Sequence, residues 1–349
     1  MTAGKKNNKN DGPNKDDKVS YTLSENEVHS GCRERFLTNG YRSENMTVKQ
    51  CLKTPFIYHC NETFNIWTHF IPFVFFAIKF GILFSTEMPI TDTFYWPLAA
   101  NALGIMGFCI TSSMAHTFCA LSPNARYVCF YMDYAIINVY SGTGWQAYYF
   151  YGRPIGSQGI FTTDTAHLMA LVAFKIGVLS TFQCCCSRHV KNVLEHLMRV
   201  SSFVIPWLCA AFPYLYRLYS CDNEFDCQTM SWVPFWTHTV FYVVGALALA
   251  SKLPERLSPG AFDYVGHSHQ IMHLCVAIGG YFQFESIRIE LLGKEAVLRQ
   301  QDINQIYSVY NAVFVVLTFV ANAGIALYFP NVRKYIFSED VVDASKKEH

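Results

Sequence analysis

From residue 65 onward the sequence is built of long apolar runs that are almost free of charge. A helix of about 20 mostly apolar residues spans the ~30 Å hydrocarbon core of a bilayer, with every backbone hydrogen bond satisfied within the segment. Eight runs fit: Asn65–Leu83, Thr93–Ser113, Tyr127–Phe150, Thr165–Gln183, Val200–Tyr216, Thr229–Ala250, Tyr264–Phe284 and Gln305–Phe329. The fifth is the shortest and carries Pro206 and Pro213. Only 15% of the 349 residues are charged, against about 25% in an average soluble domain. This excludes a soluble globular enzyme, a disordered chain and a disulfide-stapled secreted module. The expected fold is an all-α polytopic membrane protein. A net charge of +1 offers no field to draw nucleic acid. Most of the 13 cysteines lie in apolar runs, where a thiol acts as a small hydrophobe, and they form no disulfide framework and no CxxC zinc module.

Residues 1–27 are polar and read as a disordered tail, without the apolar core of a signal peptide. Residues 28–64 read as a membrane-proximal segment with a short interfacial helix around Val48–Tyr58. The bundle of eight spans covers 65–329, and 330–349 form a C-terminal tail. Basic residues set orientation. With the N-terminus inside, the inner flanks hold eleven: Arg42, Lys49, Lys53, Arg126, Arg188, Lys191, Arg199, Lys252, Arg256, Arg333 and Lys334. The outer flanks hold five: Arg153, Arg217, Arg288, Lys294 and Arg299. Both termini are then cytoplasmic. The loop holding Cys221 and Cys227 lies outside, where the two can pair. Cys184, Cys185 and Cys186 fall at an inner span end and are acylation candidates, with unmodified thiols an equal alternative. The sequons at Asn45 and Asn61 face the cytoplasm and are discounted.

Ionisable groups inside spans are costly and usually functional. Asp133 is the only acidic residue within the eight spans. Lys79 and Lys175 are intramembrane cations that can snorkel or line a cavity. His269 and His273 are spaced i,i+4 and so share one helix face; Ser112 and His116 have the same spacing. Two imidazoles one turn apart can hold one zinc, as on HExxH helices. The chain order puts His116, Asp133, His269 and His273 at one depth. Three histidines with an open position are the layout of a reactive zinc site, where water ionises near pH ~7. Asp133 is the candidate proton acceptor and Ser112 a hydrogen-bonding partner. The alternative is that the HxxxH pair only packs or bonds between helices. His267 falls on another face. His69, His167, His238 and Glu62 read as structural.

These segments resemble the progestin and adipoQ receptor family: Asn61-Glu-Thr-Phe-Asn-Ile-Trp-Thr-His69, Ser112-Ser-Met-Ala-His116 with Asp133 downstream, and His269-Gln-Ile-Met-His273. The membrane progestin receptor branch is the nearer likeness, through Ala115-His-Thr-Phe118, Asn124-Ala-Arg126, Asp133-Tyr134, Leu253-Pro-Glu-Arg256 and Phe262-Asp-Tyr-Val-Gly-His-Ser-His269. The resemblance implies seven core helices plus an eighth, a cytoplasmic N-terminus, Zn2+ on His116, His269 and His273, and Asp133 and Ser112 beside it. It implies a plasma-membrane receptor for a progestin-like steroid or related lipid, with a G protein or other cytoplasmic signalling partner. A second class stays open: a zinc-dependent lipid amide hydrolase resembling ceramidases. In a third, zinc only locks three helices together.

Overall fold

The computed structural model describes residues 22–57, 59–155, 165–190, 193–221, 223–300 and 304–337. Most of the expected N- and C-terminal tails therefore lies outside the described residues. A short strand β1 (Thr22–Leu23) pairs antiparallel with β2 (Tyr41–Arg42), and α1 (Val48–Ile57) follows. Then come eight long helices: α2 (Thr63–Thr86), α3 (Trp96–Phe118), α4 (Pro123–Ala147), α5 (Ala166–Ser187), α6 (Val193–Tyr219), α7 (Trp232–Ser251), α8 (Ser268–Gln300) and α9 (Asn304–Ile336). The chain is an all-α, multi-pass integral membrane protein.

Six of these helices are long and apolar enough to cross a bilayer by composition alone: α2, α3, α5, α6, α7 and α9. The other two, α4 and α8, form the interior. Helix α4 packs against α3, α5, α6 and α9, and α8 against α2, α3 and α7. Their polar residues Asp133, Asn138, Gln146, His273 and Gln283 are buried. An interior helix faces protein on most sides, so its polar groups never meet lipid. The peripheral helices turn apolar side chains outward, as Ile71, Ile78 and Ile82 do on α2.

Aromatic rings fill the half of the bundle away from the histidines. Phe80 meets Phe284 with ring centroids 4.4 Å apart, and Tyr214 meets Phe235 at 4.3 Å. Lipid tails are as apolar as these rings, so close packing rather than water exclusion holds the helices together here.

Two local devices place the functional helices. At the N-terminus of α8, Glu255 accepts hydrogen bonds from the Ser268 backbone N–H (2.7 Å) and from its hydroxyl. A carboxylate there satisfies an orphan donor and complements the helix dipole. At the C-terminus of α3, the buried Arg42 donates to the carbonyls of His116 (2.5 Å) and Thr117 (2.8 Å). The segment carrying Arg42 is tied down by Asp263, which accepts from the backbone N–H groups of Thr38 and Asn39, each at 2.8 Å.

Several expectations are corrected. Helix α8 starts at Ser268 rather than Tyr264 and continues past Phe284 to Gln300. Helix α4 gives way after Ala147 to a π-helical turn, Tyr148–Gly152. Cys184, Cys185 and Cys186 are buried, so none of these thiols is presented for acylation. Cys221 and Cys227 are disulfide-bonded, as the loop reading allowed. Lys79 pairs with Glu285 at 2.9 Å, just beyond the expected end of its span.

Candidate metal centre

The last turn of α3 delivers His116 and the first turns of α8 deliver His269 and His273. Their ligand nitrogens all lie within 4.8 Å of one another. Nε2 of His269 is 3.2 Å from Nε2 of His116. Two nitrogens bound at 2.0–2.1 Å to one tetrahedral zinc lie about 3.3 Å apart. The spacing therefore fits a shared ion, and this trio, with His116 and His273 buried and His269 partly so, can hold one metal.

On His116 and His273 the second ring nitrogen is already committed. His116 donates from Nδ1 to Glu62 Oε2 at 2.7 Å. His273 shares its Nδ1–H between the Asn65 carbonyl (3.2 Å) and the Thr68 hydroxyl oxygen (3.1 Å). Each bond leaves Nε2 unprotonated and available as a ligand atom, and fixes the ring plane. His69 stacks on His273, with centroids 3.9 Å apart and planes 8° apart, and donates from Nε2 to the His273 carbonyl. Glu62, just outside the span, is buried, which pushes its carboxyl up. The His116 imidazole, with Arg42 and Arg126, more than offsets this and holds it well below the ordinary carboxylate range.

Glu62 and His69, which read as structural in the sequence, lie at the site. Both touch the histidine trio directly. The available signal was spacing: Glu62, Asn65 and His69 recur at i, i+3, i+7 on one face. His267 stays outside the trio and donates to the Asn61 carbonyl at 3.4 Å. His238 packs among aromatic rings away from the site. His167 is not among the residues lining the cavity described next.

Ser112 and Asp133 line the same cavity as the three histidines. Ser112 Oγ and Asp133 Oδ1 are buried and make no hydrogen bond of good geometry among the described residues, although the two side chains lie within reach of each other. Buried polar atoms are almost always paired, so these two mark a place where a ligand or water is expected. The cavity holds about 320 Å³, within the range of small-molecule sites. It extends from Glu34 and Lys252, past the histidines and the apolar Phe108, Ile137 and Val276, to Tyr140, Tyr242 and Gln283. Val204 on α6 and Val243 on α7 line one side, and both are also exposed on the bundle's outer surface.

The chain is thus a polytopic helical membrane bundle with a metal-competent histidine trio beside a largely apolar cavity. The chain belongs to the haemolysin-III-related family, the group that includes the progestin and adipoQ receptors, whose family model matches residues 57–284. It is 33% identical over 286 residues to the membrane progestin receptor gamma of Homo sapiens, covering 80% of this chain and 85% of that protein. Against the human membrane progestin receptor delta it is 30% identical over 275 residues, covering 76% and 78%. The human beta receptor is 26% identical over 292 residues.

Proposed function

We propose that this protein is a membrane receptor for a progestin-like steroid, with Zn2+ held by His116, His269 and His273. The observation that carries this reading is the continuous apolar cavity with a polar, metal-competent end. Relatives named membrane progestin receptors support the steroid class. The ligand enters from the bilayer and is held mainly by apolar contact. Both chain termini are cytoplasmic, the protein sits in the plasma membrane, and the cytoplasmic face meets a G protein or similar partner.

A second reading rests on the unpaired Asp133 and Ser112 atoms: hydrolysis of a lipid amide. A bound zinc would supply Lewis acidity and a lowered water pKa. Asp133 Oδ1 would accept the proton from the attacking water and return it to the amide nitrogen as the C–N bond breaks, releasing a free amine and a fatty acid, and Ser112 would orient the water or the substrate by a hydrogen bond. Glu62 holds the His116 imidazole, and Asn65 and Thr68 the His273 imidazole, in one tautomer throughout.

The purified protein is expected to contain about one zinc. His269→Ala and His273→Ala should each remove most of it, because each deletes one of three protein ligands. Asp133→Asn should retain it. Elemental analysis checks this, and full retention in the His269→Ala/His273→Ala double variant would end the metal assignment. Fatty-acid release from a short-chain ceramide, run beside equilibrium binding of radiolabelled progesterone, separates the readings. Saturable steroid binding that survives Asp133→Asn, without release, establishes the receptor. Zinc-dependent release that falls about 10²–10⁴-fold in Asp133→Asn, without steroid binding, establishes the hydrolase.

A further inference from the structure

At the end of the cavity away from the histidines, three polar side chains meet in a region otherwise filled by aromatic rings. The Tyr140 hydroxyl donates to Gln283 Oε1. That uses the only Tyr140 proton, so the Tyr242 hydroxyl must donate to Tyr140. The chain Tyr242 to Tyr140 to Gln283 occupies the acceptor side of the Gln283 amide. Its donor side, Nε2, makes no hydrogen bond among the described residues, although the side chain lines the cavity and the residue is 3% exposed. Hydrogen bonds in series polarise one another in a low-dielectric interior, so this N–H is a strengthened donor.

Two glycines make room for the arrangement. A Cβ at Gly279 would lie 2.2 Å from the Tyr242 ring, and one at Gly144 would lie 3.3 Å from Gln283 Nε2. Glycine is a poorer helix former than alanine, so these positions give up helix propensity for the space. The side-chain amide of Asn101 on α3 is also unpaired among the described residues and lies beside Gln283 at Gly144, so it is the internal partner with which a ligand oxygen would compete.

We infer that Gln283 Nε2 is a second polar anchor, which takes an acceptor oxygen, a ketone or hydroxyl, at the far end of a rigid or extended apolar ligand. Asp133 and Tyr140 are two turns apart on α4, a rise of about 10 Å, and His273 and Gln283 are ten residues apart on α8, about 15 Å. The site therefore selects molecules with an oxygen at each end, some 10–15 Å apart, over single-headed lipids. This deepens the steroid reading and rests on it for the choice of first ligand.

The test uses full-length protein and two probe sets. One is progesterone, which carries a ketone at each end, with its two analogues that each lack one ketone oxygen. The other is stearate and 12-oxostearate. In the wild type, loss of the distal oxygen should weaken binding about tenfold, the scale of one buried hydrogen bond. In Gln283→Leu that tenfold difference should vanish for the same analogue, while loss of the other oxygen should have the same effect in both proteins. Tyr140→Phe keeps the ring, removes the relay and should shift binding in the same direction; it serves if Gln283→Leu does not fold. Equal discrimination in wild type and both variants would overturn the inference and leave the steroid reading standing. Wild type that ignores steroids but prefers 12-oxostearate in a Gln283-dependent way would support the inference and end the steroid reading. No binding of either set overturns both.

Discussion

Glu62 shows how one side chain can serve two levels of structure. It occupies the position before the first turn of α2 but makes no side-chain cap there. Its carboxylate instead accepts from His116 Nδ1 and, at 2.7 Å, from Asn65 Nδ2. It thus joins α2 to the site and sets which His116 nitrogen faces the metal. Partners of this kind are typically worth 10–100-fold in metal affinity. Glu62→Gln should accordingly weaken zinc binding by about that factor in a chelator competition while leaving the protein folded. An unchanged affinity would mean that His116 is oriented by the Arg42 contact to its carbonyl alone. His69 should act more weakly, since it reaches His273 through ring stacking and a backbone carbonyl.

Among elements, the junction of α6 and α8 is the most heavily charged buried region. Arg217 is fully buried and donates to Glu290 at 2.6 Å and to the Asp226 carbonyl at 2.5 Å. Lys294, 1% exposed, pairs with Glu290 at 3.2 Å, lies 3.9 Å from Asp226 and donates to the Arg153 carbonyl at 3.2 Å. Two cations and two anions balance, and the disulfide-closed loop brings Asp226 into place. Removing one member of a buried charge network typically destabilises by about 3–5 kcal/mol, because the remaining charge is left uncompensated. Arg217→Met should lower the thermal midpoint in detergent markedly. Replacing Glu290 by Leu on the same background should recover part of that loss, and a double variant no better than the single would argue that the contacts to backbone carbonyls dominate. Zinc content at low temperature should be unchanged in both, since the network is remote from the histidines.

For the whole molecule, the buried network changes how the basic residues are read. Three of the five on the outer flanks, Arg153, Arg217 and Lys294, are buried. Arg288 pairs with Glu285, and Arg299 with Asp92 and Glu295. The outer side of the folded protein therefore presents little free positive charge, while the proposed orientation rests on the eleven-to-five count itself, because the rule counts basic residues rather than net charge. Inner residues are engaged too, Arg42 with backbone carbonyls, Arg126 and Lys252 with Glu34, and Arg199 with Glu195, whereas Lys49, Lys53 and Arg256 form no ion pair among the described residues. Epitope tags at either terminus should be labelled only after permeabilisation of the cell, and labelling of an N-terminal tag on intact cells would reverse the assignment.

Composition and run length alone decided the helical membrane class, because the bilayer sets how long an apolar segment must be and backbone satisfaction leaves few alternatives. They also marked His116, His269, His273 and Asp133, because polar groups stand out against an apolar background and i,i+4 spacing is a local property. The ends of α8 were not legible in the same way. Its continuation beyond Phe284 depends on Glu290 and Lys294 meeting Arg217 and Asp226, and its start depends on Glu255 reaching Ser268 from the preceding loop. Glu62 on His116, Arg42 on the end of α3, and Gln283 at the end of the tyrosine relay join residues tens to more than a hundred positions apart. Such pairings depend on how each helix is rotated against its neighbours. That rotation follows from the fit of side chains across the whole bundle, and no local pattern in the chain encodes it.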